Sequence, residues 1–278
     1  MAIAPENFLN CPFRTENTMD CPRIPMSYEA FDTIEHILGW KTEYWDGYAR
    51  LTPRPMGIET CLTFETFTPT KAVNAPKLTF ITPTADYAQA MLDCYIAAFI
   101  NSVEFCGWPT DRIFEEAQQD LSLYFKGKRG KPLPASVIAI EPQTGDVVGT
   151  ALVTNKEEKG ACLGLLYVRP SHHRKGIGTH VITRSVEILT RQGYSQLTSR
   201  YHICNHQSRQ FYHQLGFEDR HDRYYLRTYT AWLGHEIYRR EKLKMLDDLE
   251  KMKQEQKQLQ EKLEKLEEAF TRSVHEAI

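Results

Sequence analysis

The sequence predicts an α/β protein, and three observations carry that expectation. Strand-like and helix-like segments alternate through the middle of the chain. A basic, glycine-containing stretch, "HHRKGIGT", joins one of those strands directly to an amphipathic run. Toward the C-terminus the apolar period changes to seven. With 278 residues, 41% hydrophobic and 25% charged, the composition is that of a soluble globular protein. That length holds one large core plus additions, or two modest domains.

Residues 1–25 contain Pro5, Pro12, Pro22 and Pro25 with little periodicity and read as a flexible N-terminus. A small α+β element, a helix plus a hairpin, is expected at 26–70. Phe31, Ile34, Ile37 and Leu38 have helical spacing between a Ser27 cap and a Gly39 stop. Asp46-Gly47 between aromatic arms predicts a hairpin, because a type I′ turn needs positive φ at both central residues. Ile58, Thr60, Leu62 and Phe64 then alternate as a third strand would. Trp40, Tyr44, Trp45 and Tyr48 crowd the hairpin and read as packing against a neighbouring layer.

After the linker "PTKAVNAPK", a main domain is expected over 77–230. It opens with a strand from Leu78 to Pro83, then two helices separated by Gly107 and Pro109. Three strands follow in "ASVIAIEP", "GDVVGTALVTN" and "GACLGLLYV". The glycine turn leads into a helix over 177–192 ended by Gly193, then a strand "QLTSRYHI", a helix "NHQSRQFYHQLG" and a closing strand "RYYLRTY". Over 235–272, Met245, Met252, Leu259 and Leu266 form one apolar row, and Leu249, Leu263 and Phe270 its partner row. Lys242 and Gln256 are the polar members. The heptad period predicts a C-terminal coiled-coil helix that pairs two copies as a homodimer; one helix folded back on its own domain is the alternative.

The formal net charge is −2, so no global basic field points to nucleic acid or an anionic membrane surface. Seven cysteines (11, 21, 61, 94, 106, 162 and 204) show no CxxC pairing and read as reduced thiols. The N-terminus lacks the basic and apolar regions of a secretory signal, and no stretch approaches the length of a membrane span. A cytoplasmic location is the expectation.

The chemistry is expected at the glycine turn. A strand followed by a basic Gly-x-Gly turn and a helix leaves backbone N–H groups at the helix start, where the dipole favours an anion. Glycine lets a pyrophosphate approach the backbone; the plainer reading is a tight turn. A Walker loop is absent, and Val181 breaks GxGxxG. His172, His173, His202, His206 and His213 do not make a metal set, because 202 and 206 straddle a strand–helix junction; no metal is expected.

About 30 residues beyond the turn, Asn205, Ser208, Phe211, Tyr212, Leu215, Gly216 and Phe217 stand as "N..S..FY..LGF". Together with "YVRPSHHRKGIGT", this block closely resembles the GNAT superfamily of acetyl-CoA-dependent N-acetyltransferases, over about residues 77–230. The resemblance implies a central mixed sheet flanked by helices. It also implies that backbone groups of Leu166, Tyr167 and Val168 pair with the pantetheine arm of acetyl-CoA. His173, Arg174, Lys175, Gly176, Ile177, Gly178 and Thr179 would hold the pyrophosphate, and Asn205 would contact the cofactor arm. The family usually has Arg or Gln where His173 stands and often Gly where Arg174 stands, so the side-chain contact would pass to Arg174 or Lys175. Tyr212 matches the tyrosine that protonates the departing thiolate.

Direct attack of an amine on a thioester needs a neutral amine, a polarised carbonyl and a proton for sulfur; a phenol can supply the last. Many relatives place a basic carboxylate on the strand before the turn, but "ACLGLLYV" has none. Glu104, between the first two helices of the domain, is the candidate base, with His172 and His202 as possible relays through water. The expected activity is acetyl transfer to a primary amine, on a small molecule or a peptide. The alternative is a degenerate module that binds acyl-CoA without turnover and acts as a sensing or scaffolding subunit. The acceptor is expected to be walled by "NSVEFCGWPTD" and "EDRHDR".

Overall fold

The computed structural model describes residues 14–15, 18–19, 21, 23–34, 38–54, 56–67, 77–156, 160–245 and 247–276. The proline-containing start of the chain, Cys11, Ile37 of the first expected helix and all of the linker except Lys77 lie outside the described residues.

The strands are β1 Arg14–Thr15, β2 Thr18–Met19, β3 Arg23–Pro25, β4 Trp40–Trp45, β5 Tyr48–Pro53, β6 Gly57–Thr63, β7 Thr79–Ile81, β8 Lys131–Pro132, β9 Val137–Ile140, β10 Val147–Lys156, β11 Gly160–Val168, β12 Gln196–His202 and β13 Glu218–Arg220. The α-helices are α1 Tyr28–Asp32, α2 Ala88–Phe99, α3 Thr110–Phe125, α4 Ile177–Arg191, α5 His206–Gln214, α6 Arg223–Lys242 and α7 Leu249–Glu276. The chain divides into two compact units, one from Cys21–Ile58 and His221–Ile278, the other from Glu59–Arg220 with Phe13–Asp20.

In the first unit the Ser27 hydroxyl caps α1, accepting from the Ala30 amide at 3.2 Å. Asp46 at φ 46° and Gly47 at φ 81° make the expected hairpin turn between β4 and β5. The third strand of this small sheet is β3, not the 58–64 segment. That segment forms β6 and enters the large sheet, where Cys61 pairs with Glu218 and Thr60 with Asp219. Thr60, Cys61 and Leu62 are consecutive and all buried, so both faces are covered, as an interior strand requires.

"RYYLRTY", expected to be a closing strand, instead opens α6. Asp222 Oδ1 accepts from the Tyr225 amide at 2.8 Å, and Tyr225, Leu226, Leu233 and Ile237 are buried at helical spacing. A seven-residue aromatic run is too short to separate the two periods; its cap decides the outcome. Within α6, Glu236 is buried between Arg239 at 2.6 Å and Arg240 at 3.0 Å. Burial works to raise its carboxyl, but the two guanidinium groups prevail and hold it below the usual range.

The tail helix α7, expected to find its partner in a second copy, finds one in α6. Leu249 and Leu259 are buried, whereas Leu266 and Phe270 stay exposed. Gln256 reaches the Thr230 carbonyl, Tyr229 donates to Glu255 at 2.7 Å, Arg227 pairs with Glu267 at 2.6 Å, and Arg223 stacks on Phe270. A Cβ on Gly234 would stand 2.8 Å from the Gln256 amide nitrogen, so this glycine makes room for the polar member of the heptad row.

The second unit holds a mixed sheet in the order β13–β6–β12–β11–β10–β9–β7, with β8 pairing β10. On one face α2 and α3 pack Met91, Tyr95, Ile113, Ala117, Leu121 and Tyr124 against Ile138, Val147, Leu152 and Tyr167. On the other face lies α4, brought close at Gly149: a Cβ there would meet Ile177 Cγ2 at 2.6 Å. β11 pairs with β12 in parallel, at Cys162 with Thr198 and Leu163 with Ser199.

Candidate active site

Beyond Leu163 and Ser199 the ladder between β11 and β12 stops, while β11 continues to pair with β10 as far as Val168. The Arg169 amide donates to the Val148 carbonyl at 2.9 Å, which sets the alternation along this ladder. Tyr167 therefore turns its backbone toward β10. Leu166 and Val168 turn theirs toward β12, where the ladder has ended. The sheet opens at this point like a V, with Leu163 and Ser199 at its vertex.

At the mouth of the V stands the start of α4. Arg174 at φ 61° and Gly176 at φ 75° are both left-handed, and no side chain caps the helix. The amides of Ile177, Gly178 and Thr179 lie in the first turn, with no acceptor inside the helix. They make a cradle for an anion, flanked by the exposed side chains of Arg174 and Lys175. His173 is turned away: its Nε2 stands 2.9 Å from the Val168 carbonyl oxygen. Gly178 is also packed closely. It does not have a positive φ, and a Cβ on it would meet the Phe211 ring at 3.1 Å.

Tyr212 projects from α5 to the vertex. The Ser199 hydroxyl donates to the Leu163 carbonyl at 3.1 Å, so the Tyr212 hydroxyl, 2.9 Å away, donates to Ser199. The ring is buried among Tyr201, Phe211 and Phe217. Burial pushes the phenol up to about 12 against the lowering effect of the Ser199 bond, with the charges of Cys162 and Glu104 adding to the rise. This tyrosine is a proton donor throughout the neutral range.

Asn205 caps α5, its Oδ1 accepting from the Ser208 amide at 2.9 Å, and its Nδ2 donates to Glu104 Oε1 at 2.8 Å. Glu104 is thereby fixed beside the C-terminal end of β12. Its other oxygen, Oε2, is buried and has no hydrogen-bond partner among the described residues. Burial also pushes the neighbouring Cys204 thiol up to about 12, with the charge of Glu104 adding to the rise.

These elements fall inside a single match: residues 97–217 fit the model of the acetyltransferase (GNAT) family. That stretch is similar to the GNAT acetyltransferases. Among solved structures, a tandem GNAT protein from the clavulanic acid biosynthesis pathway is 17% identical over 59% of this chain and 50% of its own, with a TM-score of 0.43. A GCN5-related N-acetyltransferase from Sphaerobacter thermophilus is 18% identical over 59% and 48%, with a TM-score of 0.41. An aminoglycoside N-acetyltransferase in complex with CoA is 17% identical over 51% and 88%, with a TM-score of 0.39. This chain spans about half the length of the first two. The likeness is remote. No curated protein matches the sequence.

The fold brings together Leu166, Val168, the 174–179 turn, Asn205, Glu104 and Tyr212 around one opening. The backbone of Tyr167 faces Thr150 of β10, and its buried side chain donates to the Met91 carbonyl at 3.3 Å. His172 stands 3.4 Å from Glu141, and His202 accepts from the Cys204 amide at 3.1 Å. Sequence reasoning missed Ser199, the partner of Tyr212, and Gly149, which seats the helix start. No local pattern marks Ser199, because its strand "QLTSRYH" mixes polar and apolar residues. Among the described residues no group of three or more His, Cys, Asp or Glu could hold a metal, and no helix is long and apolar enough to cross a membrane. The six described cysteines are free thiols.

Proposed function

We propose that this chain is an acetyl-CoA-dependent N-acetyltransferase acting on a primary amine, on a small molecule or a peptide, in the cytoplasm. The observation that carries the proposal is the meeting of an uncapped helix start, an unpaired strand edge and a buried phenol at one opening of the sheet. The residues present fit acetyl-CoA. The amides of Ile177, Gly178 and Thr179 would hold the pyrophosphate, with Arg174 or Lys175 adding charge, and the backbone of Leu166 with the amide of Val168, whose carbonyl already faces His173, would hold the pantetheine arm. His173 has no part in this cradle.

Bound acetyl-CoA supplies a thioester whose carbonyl carbon forms the new C–N bond while the C–S bond breaks and its electron pair stays on sulfur. Glu104 accepts the proton that the amine nitrogen sheds, through the Oε2 that nothing else engages. Asn205 acts through Glu104 and is a positioning residue. Tyr212 gives its hydroxyl proton to sulfur, and the proton shed by the amine returns to the phenolate through solvent, so charge and protons balance.

The second reading, an acyl-CoA-binding scaffold without turnover, draws on His173 lying off the cradle and on the Tyr212 hydroxyl being engaged by Ser199. Thiol release from acetyl-CoA across an amine panel separates the two. In Tyr212→Phe the rate should fall about 100-fold, the usual size of a lost general acid, with cofactor affinity little changed. Wild-type turnover in that variant would remove Tyr212 as the acid; acetyl-CoA binding with no thiol release for any amine would select the scaffold.

A further inference from the structure

The acceptor side of the opening has a chemistry of its own. A cavity of about 520 Å3 opens on the face of the sheet that carries α3. Cys162 and Leu163, at the vertex of the V, form part of its lining, and Lys128, Arg129, Lys156 and Arg200 surround it. Among the described residues no carboxylate lines it. Arg129 is already balanced by the buried Asp120, which also accepts from Tyr95 at 2.9 Å. Lys128 and Lys156 have no carboxylate partner among the described residues, so the described lining carries a net positive field. That field is local, because the whole chain carries a net charge of −2.

The anion cradle at the start of α4 belongs to the opposite face, since Gly149 seats Ile177 there while Leu152 and Thr154 line the cavity. A thioester arm held along Leu166 and Val168 and a molecule in the cavity would meet at the gap between β11 and β12. We propose that the acceptor is an amine bearing a carboxylate or phosphate group, which Lys128 and Lys156 hold in this cavity so that the amine nitrogen faces the vertex. The proposal rests on the acetyltransferase reading above for its chemistry, but not for the binding of the anion. It also moves the acceptor away from the walls expected from sequence, "NSVEFCGWPTD" and "EDRHDR", to the end of α3 and the strands β10 to β12.

The test uses the full chain and four amines on the same two-carbon frame: ethanolamine phosphate, β-alanine, ethanolamine and 1,2-diaminoethane. Calorimetric binding should be detectable for one or both anionic amines and at least about tenfold weaker in K128E/K156E, with acetyl-CoA affinity unchanged. Ethanolamine phosphate against β-alanine tells a phosphate site from a carboxylate site. Equal binding of the four amines, no binding of either anionic amine, or full anion affinity in K128E/K156E would overturn the proposal. Anion binding without any thiol release would leave the cavity assignment standing and remove the catalytic reading. Thiol release that favours ethanolamine or 1,2-diaminoethane would keep the catalytic reading and overturn this one.

Discussion

Two helices begin at the same edge of the large sheet, after the parallel strands β11 and β12, and they begin differently. At α5 the start is closed: Asn205 satisfies the Ser208 amide with one end of its side chain and holds Glu104 with the other. At α4 the start is open: Gly176 offers no side chain, and the chain takes left-handed conformations at Arg174 and Gly176. An N-cap is worth about 1 kcal/mol, so an omitted one marks a place where the amides serve something other than the fold. The closed start fixes a carboxylate; the open start leaves its amides without a side-chain cap.

Exchanging the characters of the two starts should break the comparison, and the larger effect belongs at α4. Gly176→Asp places a carboxylate in the cradle and should weaken acetyl-CoA binding at least tenfold, about 1.4 kcal/mol. Gly176→Ala, which carries the same backbone cost without the charge, should lose less. An Asp variant that binds as tightly as the wild type would show that the cradle holds no phosphate. The smaller effect belongs at α5. Asn205→Ala removes the cap and should cost about 1 kcal/mol in denaturant unfolding, with a slower turnover as Glu104 is released. Unchanged stability would mean that the cap contributes nothing.

The open start was legible in the sequence, because its glycines and basic residues are contiguous between a strand and an amphipathic run. The arrangement around Tyr212 was legible only in part. Its position came from the resemblance of "FYHQLGF", whereas Ser199 lies on another element and becomes its partner only through the Leu163–Ser199 register. Glu104 was placed by chain order alone; what fixes it, the Asn205 amide, is a contact across 101 positions that no local pattern encodes. The misread closing strand and the β6 strand share one cause. Short apolar runs take their state from the partner they find, an Asp222 cap in one case and the β13 edge in the other. Sequence reasoning missed the cavity beside Cys162: Lys128 and Arg129 stand in the basic run "KGKRGK", but Lys156 and Arg200 join them only through β10 and β12.

The most direct test of the open helix start is a calorimetric titration of the full chain with acetyl-CoA and with S-acetyl-pantetheine, which keeps the thioester arm and lacks the pyrophosphate. Acetyl-CoA should bind at least about tenfold more tightly, and Gly176→Asp should shrink that gap by lowering the affinity for acetyl-CoA alone. Equal affinities for the two ligands in the wild type would contradict the account.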